Sequence, residues 1–505
     1  MMADISNSMD SVPSKKKGKA IMVLGATSDA GKSVTAMSLC RILSDLGYSV
    51  CPFKSQNMSL NAKPTKDGHE ISMIQELQCQ AARVESSFLV NPILMKPIGD
   101  MMSQVIVKGK VFGEYDVQSY YNDFIPNHGF GIVKETIDEL KEQFDFIIME
   151  GAGSPAEINI YDKDIANMRA AEAADADCIL VVNTEWGGSF AYILGTVMLM
   201  PPEDRKRIKA ILYNNVRGYP QEIMDGALML KERLNIPILG CTEHFDIHIP
   251  QEDSEFFRNV NEIGSGKAII GVIKLPKISN FTDLDPLYGE DVTVRFVSKK
   301  EELDGCDAII IPGTKNTTSD MRWLTETGLD NAIKEKAGII PIVGICGGYQ
   351  ILGKKLSDPY SMEDPSIKEI NGLGLLDIET KWEKRDKITV RNHGIMISNN
   401  EEITGYQIHV GTSVINEKPL FRIEDGNEGS CNPEKKLFGT YLHGVFEKPA
   451  FRKFFLSLIN PELKEKGYGH DYSEDIDKNI SKIADIFKNS MDFELFTKLF
   501  LEAEE

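Results

Sequence analysis

Ala20-Ile21-Met22-Val23-Leu24-Gly25-Ala26-Thr27-Ser28-Asp29-Ala30-Gly31-Lys32-Ser33 decides the fold of the first half of the chain. Ala20 to Leu24 is an unbroken apolar run that reads as a buried strand, and the glycine-bounded loop after it ends in Lys-Ser, the pattern of a phosphate-binding loop. Five residues separate Gly25 from Gly31, one more than the usual spacing. The physics is unchanged: backbone N–H groups and a helix N-terminus cradle phosphates, Lys32 neutralises their charge, and the Ser33 hydroxyl can ligate Mg²⁺. Gly25, Thr27, Gly31, Lys32 and Ser33 are therefore candidate ATP contacts. A glycine turn with no ligand is the bland alternative, and the strand before and helix after argue against it. That helix carries Ala36, Leu39, Cys40 and Leu43 on one face, with Gly47 placed to close it.

Working outward, apolar runs recur at Phe146 to Met149, Cys178 to Val182, Ala210 to Tyr213 and Ile236 to Leu239, separated by helical or loop stretches. Continuous apolar strands alternating with helices imply an α/β fold with a mostly parallel sheet covered on both faces. After Gly264-Ser265-Gly266 a second series begins: Ala268 to Ile273, Val292 to Val297, Ala308 to Ile311 and Ile339 to Val343. The expected organisation is a disordered leader over 1–18, a nucleotide domain over 19–260 and a connection over 261–290. A second α/β domain over 291–460 and a charged, helical tail over 461–505 complete it.

At 505 residues, with 42% hydrophobic and 26% charged residues, the chain has the composition of an ordinary globular protein with more than one core. A formal charge of −20 with no long basic run argues against general nucleic-acid binding. No stretch approaches the roughly 20 apolar residues of a membrane helix, and the first residues lack the apolar core of a signal peptide. The 8 cysteines are scattered without a C-x-x-C pair, which suits a reduced, cytoplasmic setting.

Three further residues are candidates in the nucleotide half. Glu150 ends an apolar strand, where a carboxylate can reach a Mg²⁺ ion beside the phosphates; the competing reading is a helix-capping or solvated acid. Lys54, in Lys54-Ser55-Gln56-Asn57-Met58, could stabilise charge on a transferring phosphoryl group, or be a surface lysine. Asn214, at a later strand end, could read the adenine edge, although asparagine suits any turn.

In the second half, Gly344-Ile345-Cys346-Gly347-Gly348-Tyr349-Gln350 follows the strand pattern Ile339 to Val343. A G-x-C-x-G turn at a strand end is a nucleophile elbow, whose small neighbours allow the tight strand-to-helix turn and the approach of backbone N–H groups to an oxyanion. A buried inert thiol is the alternative for every cysteine here; the elbow singles out Cys346. His443, in Gly439-Thr440-Tyr441-Leu442-His443-Gly444, also follows a strand-like segment and is the candidate base, with His393 and His409 as competitors. Pro312-Gly313-Thr314 offers a second flexible turn, so that the N–H groups of Gly313 and Gly347 would form the oxyanion hole.

These motifs together resemble the cobyric acid synthase family over about residues 19–450. The more specific matches are Pro52-Phe53-Lys54-Ser55-Gln56-Asn57-Met58, Glu150-Gly151-Ala152-Gly153-Ser154-Pro155-Ala156-Glu157-Ile158-Asn159 and Pro276-Lys277-Ile278-Ser279-Asn280-Phe281-Thr282-Asp283. Asn91-Pro92-Ile93-Leu94-Met95-Lys96-Pro97, Pro312-Gly313-Thr314-Lys315-Asn316-Thr317 and the Cys346 and His443 turns match as well. The first half resembles dethiobiotin synthetase in its long-spaced loop, and the second a class I glutamine amidotransferase domain. The resemblance implies ATP, Mg²⁺, glutamine and a corrinoid substrate. In that scheme, side-chain carboxylates b, d, e and g of adenosylcobyrinic acid a,c-diamide are phosphorylated, then amidated by ammonia from glutamine. Cys346 would carry a glutamyl thioester and His443 would serve as acid and base.

Three segments depart from the family pattern. Asn183-Thr184-Glu185-Trp186-Gly187-Gly188 stands for an acidic D-x-D-R-G-G, Asn214-Asn215-Val216-Arg217-Gly218-Tyr219 for N-K-F-R-G-D, and Gly405-Tyr406-Gln407-Ile408-His409 for G-Y-E-I-H. Val445 occupies the position where many triad amidotransferases carry the glutamate that orients the imidazole, so a Cys–His dyad is expected. Two other functions fit parts of the chain: an amidase of a related tetrapyrrole, such as cobyrinic acid a,c-diamide synthase, and a non-enzymatic P-loop scaffold with a degenerate second half.

Overall fold

The computed structural model describes residues 17–99, 101–250, 260–383, 387–466 and 469–502. All but two residues of the expected leader fall outside this set. Two sheets organise the rest. The first has six parallel strands in the order Ile238–Glu243, Ile208–Val216, Asp177–Asn183, Lys19–Gly25, Phe146–Glu150 and Val50–Phe53. Lys19–Gly25 lies at the centre because its residues are apolar on both faces: Met22, Val23 and Leu24 are wholly buried. Its register pairs Val23 with Glu150 and Gly25 with Val181, so the phosphate loop and Glu150 emerge side by side at the carboxyl ends of the strands. Ligands bind at this end of open α/β sheets.

The second sheet has seven strands in the order Glu262–Gly264, Val292–Val297, Ala268–Ile273, Ala308–Ile311, Ile342–Ile345, Leu437–Thr440 and Ser430–Asn432, parallel within and antiparallel at both edges. The stretch 261–290, expected as a connection, therefore supplies two strands of the second core. Ala268 to Ile273 is too apolar to be left in solvent, and it pairs on both sides. The strand expected from Ile339 begins only at Ile342. Ile339 is 64% exposed, and Pro341 has no N–H to donate to a neighbour.

A smaller sheet of Gln56–Met58, Ile93–Gly99, Met102–Val107 and Lys110–Asp116 leans from the nucleotide half toward the second half. Ala62, Leu94 and Ile106 pack there with Tyr406 and Ile408. The tail divides. Pro461–Lys466 stays beside Pro449–Ile459, whereas Tyr472–Ser490 crosses to the first domain and packs on Lys32–Asp45. Ile476, Ile480, Ile483 and Phe487 are buried there among Ala36, Leu39, Cys40 and Leu43.

Candidate functional site

Gly31 begins the helix Lys32–Asp45 at φ +95°, a left-handed conformation that suits glycine, and a Cβ there would meet the Asn214 amide at 2.0 Å. Asn214 Nδ2 donates to the Ala30 carbonyl (3.2 Å), so this residue braces the loop from below. Its Oδ1 finds no hydrogen-bond partner among the described residues. Lys32 folds back toward the Thr27 carbonyl (3.4 Å) and lies against Gly25. Glu150 is buried: its Oε1 accepts from Ser33 Oγ at 2.5 Å and Lys54 Nζ at 3.1 Å, and its Oε2 from Gln78 Nε2 at 2.6 Å.

Neither the capping role for Glu150 nor the surface role for Lys54 describes this network. Burial works against the Glu150 carboxylate, but the charges of Lys54 and Lys32 and the bonds from Ser33 and Gln78 hold its pKa below the usual range. Glu150 is therefore an anion at neutral pH. Ser33, Lys54, Asn57, Glu150 and Gly153 line one cavity of about 700 Å³ with the loop. A single carboxylate beside a single hydroxyl suits Mg²⁺, which keeps waters and takes phosphate oxygens.

The divergent segments flank the loop. Asn183 Nδ2 donates to the Asp29 carbonyl (3.1 Å), and Glu185 pairs with Arg217 (3.0 Å) and Asn215 (2.6 Å). Trp186 and Tyr219 project into solvent.

In the second half Cys346 has φ +50° and ψ −107°, the strained elbow expected of a nucleophile, and it opens the helix Gly347–Leu352. The turn closes only because its neighbours lack side chains. A Cβ on Gly348 would sit 1.9 Å from the Ile311 carbonyl, and one on Gly344 2.6 Å from the Gly348 carbonyl. Gly313 lies directly against the imidazole of His443, where a Cβ would meet Cε1 at 2.7 Å, and Gly347 lies against Thr314.

His443 is buried and lines the same cavity as Cys346, whose Sγ lies 3.9 Å from the Ile408 carbonyl. Its Nδ1 is 2.7 Å from Asp283 Oδ2, and Asp283 Oδ1 accepts from the Gly444 N–H at 2.7 Å. The expected dyad is thus a triad whose acid lies 160 residues before the histidine in sequence. Asp283 fixes Nδ1, as the orienting acid of a triad does. Burial alone would lower the His443 pKa, but the charges of Asp283 and Cys346 and their hydrogen bonds push it up to about 10.

The competing histidines are accounted for. Both ring nitrogens of His409 are engaged, with the Gly411 carbonyl (2.9 Å) and Gln407 Oε1 (3.1 Å), and burial lowers its pKa to about 4. His393 is exposed, and its backbone is tied to Glu424. The other cysteines form no disulfide, and burial raises the thiol pKa of Cys51, Cys178 and Cys241.

A cavity of about 500 Å³ opens over Cys346 and His443, and its walls come from both halves: Leu60, Lys96, Gln104 and Glu114 face Lys315 and Glu363. The halves are joined around it. Asn280 Oδ1 accepts from the Ala62 N–H (3.0 Å), Asn61 Oδ1 from the Phe281 N–H (3.2 Å), and Lys63 pairs with Glu447 (2.9 Å). Arg391 Nη2 donates to both carboxylate oxygens of Glu76 (3.0 and 3.1 Å), and the guanidinium also donates to Ser86 and the Pro64 carbonyl. No helix among the described residues is long and apolar enough to cross a membrane.

Comparison with known proteins agrees with this two-part geometry. Residues 21–255 match the CobQ/CobB/MinD/ParA nucleotide binding domain, and residues 269–451 the CobB/CobQ-like glutamine amidotransferase domain. The chain is 42% identical to the cobyric acid synthase of Clostridium acetobutylicum over 94% of its own length and 96% of the relative's. For the cobyric acid synthase of Clostridium botulinum the identity is 44%, over 94% and 98%. For the probable cobyric acid synthase of Methanothermobacter thermautotrophicus it is 41%, over 95% and 99%. With both domains matched in order and near-complete coverage on each side, the chain belongs to the cobyric acid synthase family, glutamine amidotransferase-type ligases of cobalamin biosynthesis.

Proposed function

We propose that this chain amidates the b, d, e and g carboxylates of adenosylcobyrinic acid a,c-diamide by way of acyl phosphates, using ATP, Mg²⁺ and glutamine. The observation that carries this proposal is the cavity over Cys346, whose outer wall belongs to the nucleotide half. Ammonia released there starts its path already facing the domain that would consume it.

The glutaminase half runs through the triad. The Cys346 thiolate attacks the carboxamide carbon of glutamine while the N–H groups of Gly313 and Gly347 receive the oxyanion. His443 Nε2–H protonates the departing nitrogen, ammonia leaves, and a glutamyl thioester remains on Cys346. The same imidazole then takes a proton from water, whose oxygen displaces the thiolate and releases glutamate.

In the other half a substrate carboxylate oxygen attacks the γ-phosphorus of ATP and ADP departs. Lys32 and Lys54 balance the charge on the phosphoryl oxygens, Thr27 and the backbone of Gly25 and Gly31 hold the phosphates, and the free Asn214 Oδ1 suits an amino group of the base. Ser33 and Glu150 would hold Mg²⁺, which would supply neutralisation of the phosphate charge. Ammonia then adds to the acyl carbon and phosphate leaves. The carboxylate needs this activation because its own oxygen is a poor leaving group. The reaction fits a cytoplasmic enzyme with access to ATP.

The test is to incubate the corrinoid a,c-diamide with purified Cys346→Ala protein and follow product mass. Amidation supported by glutamine should vanish, and amidation supported by concentrated ammonium should persist because acyl phosphate formation is untouched. Glutamine-dependent product from the variant would overturn the assignment of Cys346.

A further inference from the structure

The cavity over Cys346 carries more charge than ammonia release needs. Lys96 and Lys387 both pair with the buried carboxylate of Glu70, which reaches into the interface from the nucleotide half. Among the described residues, Lys315 and Glu363 form no ion pair, although both line the cavity and feel one another's charge.

Glu363 is held in place by several contacts. Its Oε1 accepts from Thr317 Oγ1 (3.2 Å) and its Oε2 from the Thr318 N–H (2.9 Å). Its own backbone is fixed by Asp358 Oδ2 (2.9 Å) and Asn316 Nδ2 (3.0 Å). Thr317 Oγ1 also contacts Gln350 Oε1 (3.0 Å), one helical turn beyond Cys346. The carboxylate thereby lines the same cavity as the nucleophile. Lys315 leaves the same strand-end loop as Gly313. A nucleophile, a carboxyl group and an ammonium group around one small cavity, neither of the last two in an ion pair among the described residues, complement a molecule with a carboxamide at one end and opposite charges at the other.

We propose that Glu363 and Lys315 select L-glutamine by its α-substituents, Glu363 receiving the α-ammonium and Lys315 the α-carboxylate while the carboxamide reaches Cys346. The inference rests on the glutaminase chemistry proposed above and adds the residues that set its substrate specificity. Burial supports it: desolvation pushes the Glu363 carboxyl up to about 8 and lowers Lys315 to about 8, a strain that opposite charges on a ligand relieve. A site built around such charges rejects ligands that lack the matching group, because its own buried charge is then left unpaired.

The experiment measures ammonia release by the full chain from three substrates: L-glutamine, glutaramate, which lacks the α-ammonium, and L-glutamine α-amide, which lacks the α-carboxylate. Glu363→Gln should lower kcat/KM for glutamine at least about tenfold, mostly through KM, with no comparable loss on glutaramate. Lys315→Met should do the same for glutamine, with no comparable loss on the α-amide. Alkylation of Cys346 by iodoacetamide, which carries neither group, reports whether each variant keeps its elbow. Unchanged glutamine kinetics, or equal proportional losses on glutamine and on the matching truncated substrate, would overturn the pairing while leaving the glutaminase intact. A wild-type chain that releases no ammonia from glutamine would instead overturn the glutaminase reading and this specificity with it.

Discussion

Replacing Asp283 by asparagine keeps its shape and removes its charge, which isolates what the acid adds to His443. Interactions with Asp283 and Cys346 outweigh burial and push the His443 pKa up to about 10. Because the folded pKa lies above the unfolded value of roughly 6.5, the stabilisation from this cluster is complete below that value and is lost as pH rises toward 10. Asp283→Asn should therefore move the alkaline limb of the glutaminase pH profile downward and reduce kcat by about 10²–10⁴-fold, as for other triad acids. A profile whose alkaline limb stays in place would show that Asp283 only packs against the ring. The turns that carry Cys346 and His443 were legible because glycine-flanked turns at strand ends announce themselves locally. Asp283 was not: it closes the segment Pro276 to Asp283, in a stretch whose sequence reads as a connection. Val445 occupied the position two residues after His443 where such an acid is usually sought. The available signal was an acid closing a family-specific polar block.

The elements that sequence periodicity captured best are the parallel strands, whose unbroken apolar runs need no partner to be recognised. Helix Tyr472–Ser490 was legible as a helix but not as part of the first domain, since an apolar stripe does not say what covers it. Its Phe487 is fully buried against the first sheet's helices. Phe487→Ala should cost about 3–5 kcal/mol, seen as a lower urea midpoint with a signal from the nucleotide half, while a peripheral helix would leave that midpoint unmoved. The elbow offers a complementary test. Gly348→Ala forces a methyl group into a backbone carbonyl, which cannot yield as a flexible side chain would. Destabilisation by about 1–3 kcal/mol and loss of rapid Cys346 alkylation are expected together. Alkylation at the wild-type rate would mean the turn tolerates the added atom.

Across the whole molecule, Arg391 ties the amidotransferase half to Glu76, Ser86 and Pro64 of the nucleotide half. Arg391→Ala removes the bidentate pair, and the halves should separate more often during turnover. The readout is stoichiometry: glutamate formed per amide made should rise above the wild-type ratio as ammonia escapes, with ammonium-supported amidation preserved. A ratio equal to wild type would show that the remaining contacts, Lys63 with Glu447 and the Asn61–Asn280 pairings, suffice to seal the cavity.

The crossing of Tyr472–Ser490 onto the first domain also sets a timetable for the newly made chain. The ribosome finishes the last strand of the first sheet at Glu243 long before it reaches the helix that covers Ala36, Leu39 and Leu43. At typical synthesis rates the interval is on the order of tens of seconds. Throughout it the nucleotide half carries an uncovered apolar face while the entire amidotransferase half emerges and folds. The nucleotide domain, made before the amidotransferase half, is thus completed after it, by the helix Tyr472–Ser490.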